Sequence, residues 1–135
     1  MNIVIDTNVF ISALMKEGIT RDLIVNSQDN LLTPEFGFSE IKKYKQEILE
    51  KSGLTDNEFE ELLIDLLRYV KIVGTEDIFH CKKQADEIMK DIDPDDVIFI
   101  ATALACNALI WSDDEHFQKQ NTIKVLKTKD LVDLR

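Results

Sequence analysis

The 135-residue sequence predicts a single α/β domain over residues 1–135, folded as a three-layer α/β/α sandwich with a mainly parallel central sheet. Two observations lead to this prediction. Short apolar runs that are typical of buried strands alternate with longer segments of helical periodicity along the whole chain. The hydrophobic residues, 44% of the total, are sufficient for one core, and no linker or low-complexity tract divides the sequence.

Five short runs of mainly apolar residues are predicted as the strands of this sheet. β-branched residues are frequent in them, and turn-forming or helix-capping residues lie beside them. In chain order they cover residues 3–5, 31–32, 70–73, 109–112 and 123–126. The helical segments between these strands favour a parallel arrangement, because parallel neighbours need a long crossover connection.

The helices of the first half are predicted from apolar periodicity and from boundary residues. Two of them are expected at residues 9–15 and 20–25. Thr33 is then expected to cap a helix that has Pro34 in its first turn and ends at Gly53. Thr55 and Glu58 have the spacing of a capping box, which predicts the start of a strongly amphipathic helix.

The helices of the second half follow the same logic. One is expected near residues 79–90, after the third strand. Asp93 and Pro94 have the residue types of a helix cap and first turn, so an apolar helix is expected at residues 97–106. The alanines of that helix allow close packing on the sheet, and a short C-terminal helix completes the fold.

Net charge and composition limit the classes of function. The formal charge is −10, from 26 acidic and 16 basic residues, which is opposite to ordinary phosphate-neutralising binding of nucleic acid. The sequence contains no apolar run near the roughly 18 residues that span a bilayer and no secretion-signal pattern, so a cytoplasmic protein without a membrane partner is expected. Cys81 and Cys106 are widely separated and are expected to be reduced thiols.

Acidic residues follow two of the predicted strands, at the point where each strand ends. Asp6 comes directly after the first strand, and Ser112, Asp113 and Asp114 follow the fourth. Because ligands bind at the carboxyl ends of the strands in such sheets, these side chains are expected to lie close together if the two strands are neighbours. Carboxylates in that position repel one another unless they are protonated or bridged by a cation.

Two further acids are candidates for the same site. Asp96 comes one residue before the buried stripe of its helix, which predicts a side chain at the boundary between core and solvent. Capping and the helix dipole account for Asp93 and Asp95. Glu40 lies on the flank of the apolar stripe of its helix, a position that an ordinary surface glutamate also occupies.

Three or four converging carboxylates are the ligand set that Mg²⁺ or Mn²⁺ prefers. Two such ions about 4 Å apart clamp the attacking and leaving oxygens of a phosphodiester, and their charge reconciles an acidic protein with a polyanionic substrate. Thr7, Asn8 and Ser112 are expected to orient acids, water or substrate through hydrogen bonds. On spacing alone, a plain acidic domain without this chemistry is an equal alternative.

Four segments carry a family resemblance. In chain order they read IVIDTNVFIS (3–12), SEI (39–41), DDVIFIATAL (95–104) and LIWSDDEHF (109–117). In sequence and in order they resemble the motifs of the PIN-domain family of metal-dependent ribonucleases, which includes the VapC-type toxins. The resemblance spans nearly the whole chain and implies a PIN-like sandwich.

The resemblance also implies roles for particular residues. The metal-site acids it indicates are Asp6, Glu40, Asp96 and Asp114, and Ser112 supplies a hydroxyl at the same catalytic site. It implies hydrolysis of RNA with Mg²⁺ or Mn²⁺, often by a homodimer, and in VapC-type toxins an antitoxin protein that blocks the site. Whether the chain is the toxin of such a pair or an RNA-processing nuclease stays open.

Two departures from the family pattern affect the assignment of the site acids. His116 stands where many relatives have another aspartate. Asp113 lies beside Asp114, so the fourth acid is open by one residue. Asp93 is close enough in sequence to Asp96 to be a supporting acid.

Two other classes of function compete with a nuclease. The haloacid-dehalogenase phosphatases also begin with a strand that ends in Asp, but their general acid is a second Asp two residues later, where this chain has Asn8. The other class is a non-catalytic PIN-like module that binds RNA or protein. Such a module would bind without cutting, so metal binding and RNA cleavage measured together separate it from a nuclease.

The remaining histidines and aromatic residues are interpreted as structural. His80 and His116 are expected to be surface or packing residues, because no positioned partner is evident in the sequence. Trp111, Phe36 and Phe38 are expected to pack in the core rather than to stack on bases.

Overall fold

The computed structural model describes residues 1–134 and contains one five-stranded sheet. Its strands are β1 (Asn2–Ile5), β2 (Asn30–Pro34), β3 (Val70–Val73), β4 (Leu109–Trp111) and β5 (Val125–Leu126). The strand order is β3-β2-β1-β4-β5, and every neighbouring pair is parallel. The predicted mainly parallel sheet is therefore confirmed, with β1 at its centre.

Helices cover both faces of the sheet. They are α1 (Thr7–Met15), α2 (Ile19–Val25), α3 (Glu35–Lys43), α4 (Lys45–Ser52), α5 (Asp56–Leu67), α6 (Thr75–Ile78), α7 (Lys82–Met89), α8 (Val97–Cys106), α9 (Glu115–Gln118) and α10 (Thr128–Leu134). Short 3-10 turns at Phe79–Cys81 and Pro94–Asp96 precede α7 and α8. Among residues 1–134, every helix is too short or too polar to span a bilayer.

The alternation of side chains along β1 creates two separate cores. Ile3 and Ile5 face one side, where they belong to a buried cluster with Phe10 of α1 and Phe59 of α5. Val4 faces the other side, in a cluster built mainly from α8 and α7. Successive strand residues point to opposite faces, so one strand serves both cores, and the three-layer sandwich is confirmed.

The capping box predicted at the start of α5 is present. The Glu58 backbone N–H donates to the Thr55 hydroxyl at 3.2 Å, and the Thr55 backbone N–H donates to the Glu58 carboxylate at 2.9 Å. Gly53 ends α4 with a left-handed φ of 76°, as its predicted role as a helix stop requires.

The predicted start of the helix after β2 is wrong. Thr33 and Pro34 belong to β2, where Pro34 pairs with Val73, and the helix begins at Glu35. Thr33 pairs with Ile72 and Pro34 with Val73, so both residues extend β2 instead of opening the helix. The single helix expected as far as Gly53 is also interrupted at Tyr44, which separates α3 from α4.

Other predicted boundaries are also corrected. The first helix begins at Thr7 instead of residue 9, and Gly18 rather than Thr20 precedes α2. The segment expected as one helix at residues 79–90 is a 3-10 turn followed by α7, with the separate short helix α6 before it. The last strand is only two residues long. Because α1 starts directly after β1, the residue between them is held at the edge of the sheet.

Candidate active site

The pairing of β1 with β4 brings two strand exits together. Ile5 pairs with Trp111, and the backbone N–H of Asp6 donates to the Trp111 carbonyl at 3.0 Å. Asp6 and Ser112, the residues that follow the two strands, therefore lie side by side. The Ser112 hydroxyl donates to Asp6 Oδ2 at 2.8 Å. Both side chains are buried, with Asp6 5% and Ser112 0% exposed. The predicted meeting of these strand ends is therefore found.

Ser112 also connects Asp6 to Asp114. The Ser112 oxygen accepts a hydrogen bond from the backbone N–H of Asp114 at 3.0 Å while its own proton is directed to Asp6. The Asp114 carboxylate accepts from the His116 backbone N–H at 2.9 Å and so caps α9. The hydroxyl therefore links the Asp6 carboxylate to the backbone of Asp114, and the His116 N–H orients the Asp114 carboxylate.

Glu40 reaches the same region from α3. The Thr7 hydroxyl donates to Glu40 Oε1 at 3.3 Å. Gly37, one turn earlier on α3, permits this approach, since a Cβ atom there would lie 3.0 Å from the Thr33 hydroxyl oxygen and 3.1 Å from that of Thr7. A side chain at residue 37 would push α3 away, and this requirement for glycine was not recognised in the sequence.

Asp96 completes the set from the start of α8. Its Oδ2 atom is buried and makes no hydrogen bond within the described residues. Burial, followed by repulsion from Asp93, Asp6 and Asp114, raises the pKa of Asp96 to about 7. Burial, and less strongly repulsion from Asp114, raises the pKa of Asp6 to about 6 although the Ser112 hydrogen bond acts to lower it. The site is therefore under electrostatic stress at neutral pH.

His116 is not the isolated surface or packing residue that the sequence suggested. Its Nδ1 atom lies 2.9 Å from Asp93 Oδ2, 3.6 Å from Asp114 Oδ1 and 3.9 Å from Asp96 Oδ2. The Nδ1 atom is buried, yet none of these contacts has the alignment of a hydrogen bond. Sequence reasoning missed this contact, although the substitution of histidine for an expected aspartate was a signal.

Adjacent aspartates have different surroundings. The two oxygens of Asp113 accept from the Thr128 backbone N–H at 2.8 Å and from the Thr128 hydroxyl at 2.6 Å, so this carboxylate holds the start of α10. Asp114 instead contacts Ser112 and lies near His116. Of the two residues that were open for the fourth acid, Asp114 is the one whose carboxylate faces the other acids.

Asp6 and Asp114 border a cleft of about 270 Å³, whose other lining residues are Asn8, Val9, Ser12 and Asp113. Asp96 and Glu40 do not line this cleft. Asn8 is exposed at this opening, where its amide is accessible to a ligand.

The aromatic residues that were expected in the core differ in burial. Trp111 is 1% exposed and Phe38 is partly buried, but the prediction for Phe36 is wrong, because 48% of this residue is exposed. The first turn of α3 directs Phe36 outward, away from the core.

The donor set fits a hard divalent cation. Asp6, Asp96 and Asp114 lie near enough for their carboxylates to repel one another, and the buried Asp96 Oδ2 makes no hydrogen bond among the described residues. The donor atoms that lie within 4.8 Å of one another are those of Asp93, Asp96 and His116. Within residues 1–134, no lysine or arginine forms an ion pair with these acids. Buried carboxylates without a counter-charge are stabilised when a cation supplies one, and carboxylate oxygens are the ligands that Mg²⁺ and Mn²⁺ prefer.

Comparison with known proteins identifies the family. The sequence model of the PIN domain matches residues 4–131, whereas no curated protein matches the chain significantly. Three solved structures share its fold at low sequence identity. They are VapBC2 from Rickettsia felis bound to a promoter DNA fragment (TM-score 0.72, 14% identity, covering 94% of this chain and 98% of that one), a toxin–antitoxin complex from Klebsiella pneumoniae (0.68, 14%, 93% and 96%) and VapBC-1 from nontypeable Haemophilus influenzae (0.67, 17%, 96% and 99%). The match over nearly the whole sequence, together with the acids at the carboxyl edge of the sheet, shows that this chain belongs to the PIN-domain family.

Proposed function

We propose that this protein is a metal-dependent ribonuclease that hydrolyses RNA phosphodiester bonds. The observation that carries the proposal is the buried Asp96 oxygen, which makes no hydrogen bond among the described residues and belongs to a carboxylate that Asp6 and Asp114 repel. Membership of the PIN-domain family supports nuclease chemistry at this position.

Asp6, Asp96 and Asp114 are the residues that would hold Mg²⁺ or Mn²⁺, with Glu40 as a fourth acid. A bound divalent cation supplies positive charge beside the phosphodiester and acidifies a water molecule for attack. Without that charge, the carboxylates repel RNA, because every acid at this edge carries the same sign as the phosphate. An acidic protein can therefore bind a polyanionic substrate at this site only when the cation is present.

The neighbouring polar residues position these acids. Ser112 holds Oδ2 of Asp6 and the backbone of Asp114, and the His116 backbone N–H binds the Asp114 carboxylate. Both carboxylates are therefore oriented before any ligand arrives. Thr7 restrains Glu40 through its hydroxyl. Asn8 is exposed at the mouth of the cleft, where its amide is positioned to donate to a phosphate oxygen of the substrate.

The test is cleavage of a labelled RNA by the wild-type protein and by Asp6→Asn, Asp96→Asn and Asp114→Asn. We expect each variant to lose Mn²⁺- or Mg²⁺-dependent cleavage by more than about a hundredfold, because each removes one charge from the cation site. Circular dichroism checks that each variant is folded, and EDTA checks that cleavage requires a metal.

Asp95→Asn is the matched control. Asp95 is adjacent to Asp96 but exposed, and it lines a different cleft with Lys82 and Asp86. The Asp95→Asn variant should cleave RNA at the wild-type rate. Wild-type cleavage by the three site variants, after contaminating nuclease is excluded, would refute the proposal, and RNA binding without cleavage by the wild type would favour a non-catalytic module.

A specific observation favours a toxin over an RNA-processing nuclease. The three similar structures named above are described as VapBC or toxin–antitoxin complexes. We propose that this chain is likewise a cytoplasmic toxin that forms a homodimer and is blocked by an antitoxin protein. Its expression should then arrest bacterial growth, whereas expression of Asp96→Asn should not. Normal growth with active wild-type protein would assign the chain to RNA processing instead.

A further inference from the structure

His116 is fixed in place at the edge of the acid cluster. Its backbone N–H is bound by the Asp114 carboxylate at the start of α9, which limits the movement of the residue. Its Nδ1 atom faces inward, towards Asp93 and Asp96, while 44% of the side chain is exposed. The ring therefore has one nitrogen directed at carboxylates, and the rest of its surface is partly open to solvent.

The turn before α8 presents two carboxylate oxygens to this nitrogen. Asp93 uses its Oδ1 atom to cap the turn by accepting from the Asp95 backbone N–H at 3.0 Å, which leaves Oδ2 directed at His116. Asp96 contributes its buried Oδ2. Donor atoms from Asp93, Asp96 and His116 all lie within 4.8 Å of one another, close enough for one ion.

A second observation points to a ligand at this position. His116 Nδ1 and Asp96 Oδ2 are both buried, and neither makes an aligned hydrogen bond among the described residues. Buried polar atoms in folded proteins are almost always paired with protein, water or a ligand, so these two atoms, 3.9 Å apart, offer a position for a shared partner. A cation satisfies a nitrogen lone pair and a carboxylate oxygen at the same time.

We propose that Asp93, Asp96 and His116 form a mixed nitrogen and oxygen position that selects transition-metal ions such as Co²⁺ over Mg²⁺. This inference rests on the proposed function, because Asp96 belongs to both sets of ligands. An imidazole nitrogen binds first-row transition ions well, whereas Mg²⁺ is held almost entirely by oxygen. His116 thus biases the choice of metal in a site that is otherwise made of carboxylates.

A different role for His116 makes the opposite prediction. As a protonated counter-ion, the imidazolium would neutralise part of the acid cluster and compete with every divalent cation. Its removal would then raise the affinity for Mg²⁺ and Co²⁺ together. As a ligand, its removal weakens Co²⁺ binding and changes Mg²⁺ binding little, so the sign of the effect distinguishes the two roles.

The experiment is titration calorimetry of Co²⁺ and Mg²⁺ with the wild type and with His116→Ala. We expect Co²⁺ affinity to fall by at least about tenfold, since even the loss of a residue that only supports a ligand costs about 10–100-fold. Mg²⁺ affinity should stay nearly constant. The matched control is His80→Ala, because His80 is exposed on the 3-10 turn before α7 and should bind both ions like the wild type.

A spectroscopic measurement on the same proteins reports the ligand directly. Pulsed electron paramagnetic resonance of the Mn²⁺-loaded wild type should show coupling to a histidine nitrogen, which His116→Ala loses and His80→Ala retains. His116→Asp provides a further variant that keeps a side-chain donor at the position, and it should shift the preference from Co²⁺ towards Mg²⁺. In case His116→Ala folds poorly, His116→Asp still tests whether His116 is a metal ligand.

The outcomes separate this inference from the proposed function. Unchanged Co²⁺ affinity in His116→Ala, increased affinity for both ions, or a nitrogen coupling that survives the substitution would overturn the role of His116 alone. A wild-type protein that binds neither Co²⁺, Mn²⁺ nor Mg²⁺ would overturn this inference and the metal-dependent nuclease together.

Discussion

Acidic residues in two regions of this protein have opposite surroundings. Between α4 and α5, Lys45 Nζ lies 2.9 Å from Asp56 Oδ1 and 2.7 Å from Glu60 Oε1, and both acids are largely exposed. At the carboxyl edge of the sheet, Asp6 and Asp96 are buried or nearly so, and within residues 1–134 neither has a lysine or arginine partner.

The comparison shows that acidity alone does not mark a functional site. An exposed acid is solvated by water, so its pairing with lysine changes the free energy of unfolding little. A buried acid without a counter-charge lowers that free energy unless it is protonated or bound to a cation. The acids of the α4–α5 surface are therefore paired within the protein, whereas under the proposed function a divalent cation supplies the missing charge at the carboxyl edge.

The largest expected effect is stabilisation by a divalent ion. Mn²⁺ at a hundred times its Kd should add about 2.7 kcal/mol to the free energy of unfolding and raise the Tm by roughly 10 °C. The Asp6→Asn, Asp114→Asn double variant should show almost none of this shift in differential scanning fluorimetry. Lys45→Met, which breaks only the exposed pairs, should keep all of it. An equal shift in the double variant would show that the ion binds elsewhere.

The next effect is a pH dependence of stability in EDTA. Asp6 is protonated in both the folded and the unfolded chain below its ordinary pKa of 3.8, and its burial costs most once the pH passes its folded pKa of about 6. Stability from this group is therefore present at low pH and lost as the pH rises. Relative to wild type, Asp6→Asn should become more stable by roughly 2 kcal/mol between about pH 4 and pH 7.5.

Urea unfolding of both proteins across this pH range measures the difference. Subtraction of the two curves removes the contribution of titrating groups far from Asp6. Asp96 adds to the difference in the same direction, because the loss of the Asp6 charge also lowers the pKa of Asp96. A difference that stays constant with pH would mean that Asp6 is solvated or paired in solution, in contrast to its surroundings in the structure.

The smallest effect separates two adjacent aspartates. Asp113→Ala removes two hydrogen bonds to Thr128 and should lower the free energy of unfolding by about 1 kcal/mol, because it acts as a helix-start residue. It should leave the Mn²⁺-induced rise in Tm intact. Asp114→Asn, in contrast, should lose most of the Mn²⁺-induced rise in Tm. If Asp113→Ala removes the rise instead, the fourth acid is Asp113.

Much of the fold was predictable because its signals are local. The apolar runs at β1 and β4, the capping box at Thr55 and the helix stop at Gly53 each depend on residues within a few positions. The errors at Thr33 and Tyr44 arose where a local signal was compatible with two structures. Packing of β2 against β3 then selected the extended conformation for Thr33.

The candidate site was predictable only in part. Asp6, Asp96 and Asp114 stand out in sequence because each follows a strand or begins a helix. The contact of His116 with Asp93 depends instead on how α9 lies against the turn before α8, and residues 93 and 116 are too far apart in sequence for any periodicity to relate them. Their pairing is a property of the assembled layers.

The sequence by itself determined the order of strands and helices and which carboxylates stand at their ends, since hydrophobic periodicity and capping act over a few residues. Only the tertiary structure decided that β4 lies beside β1, that Ser112 therefore contacts Asp6, and that Asp113 turns towards Thr128 while Asp114 faces the site. The physical reason is that strand pairing and burial depend on contacts between residues about a hundred positions apart, which no local pattern encodes.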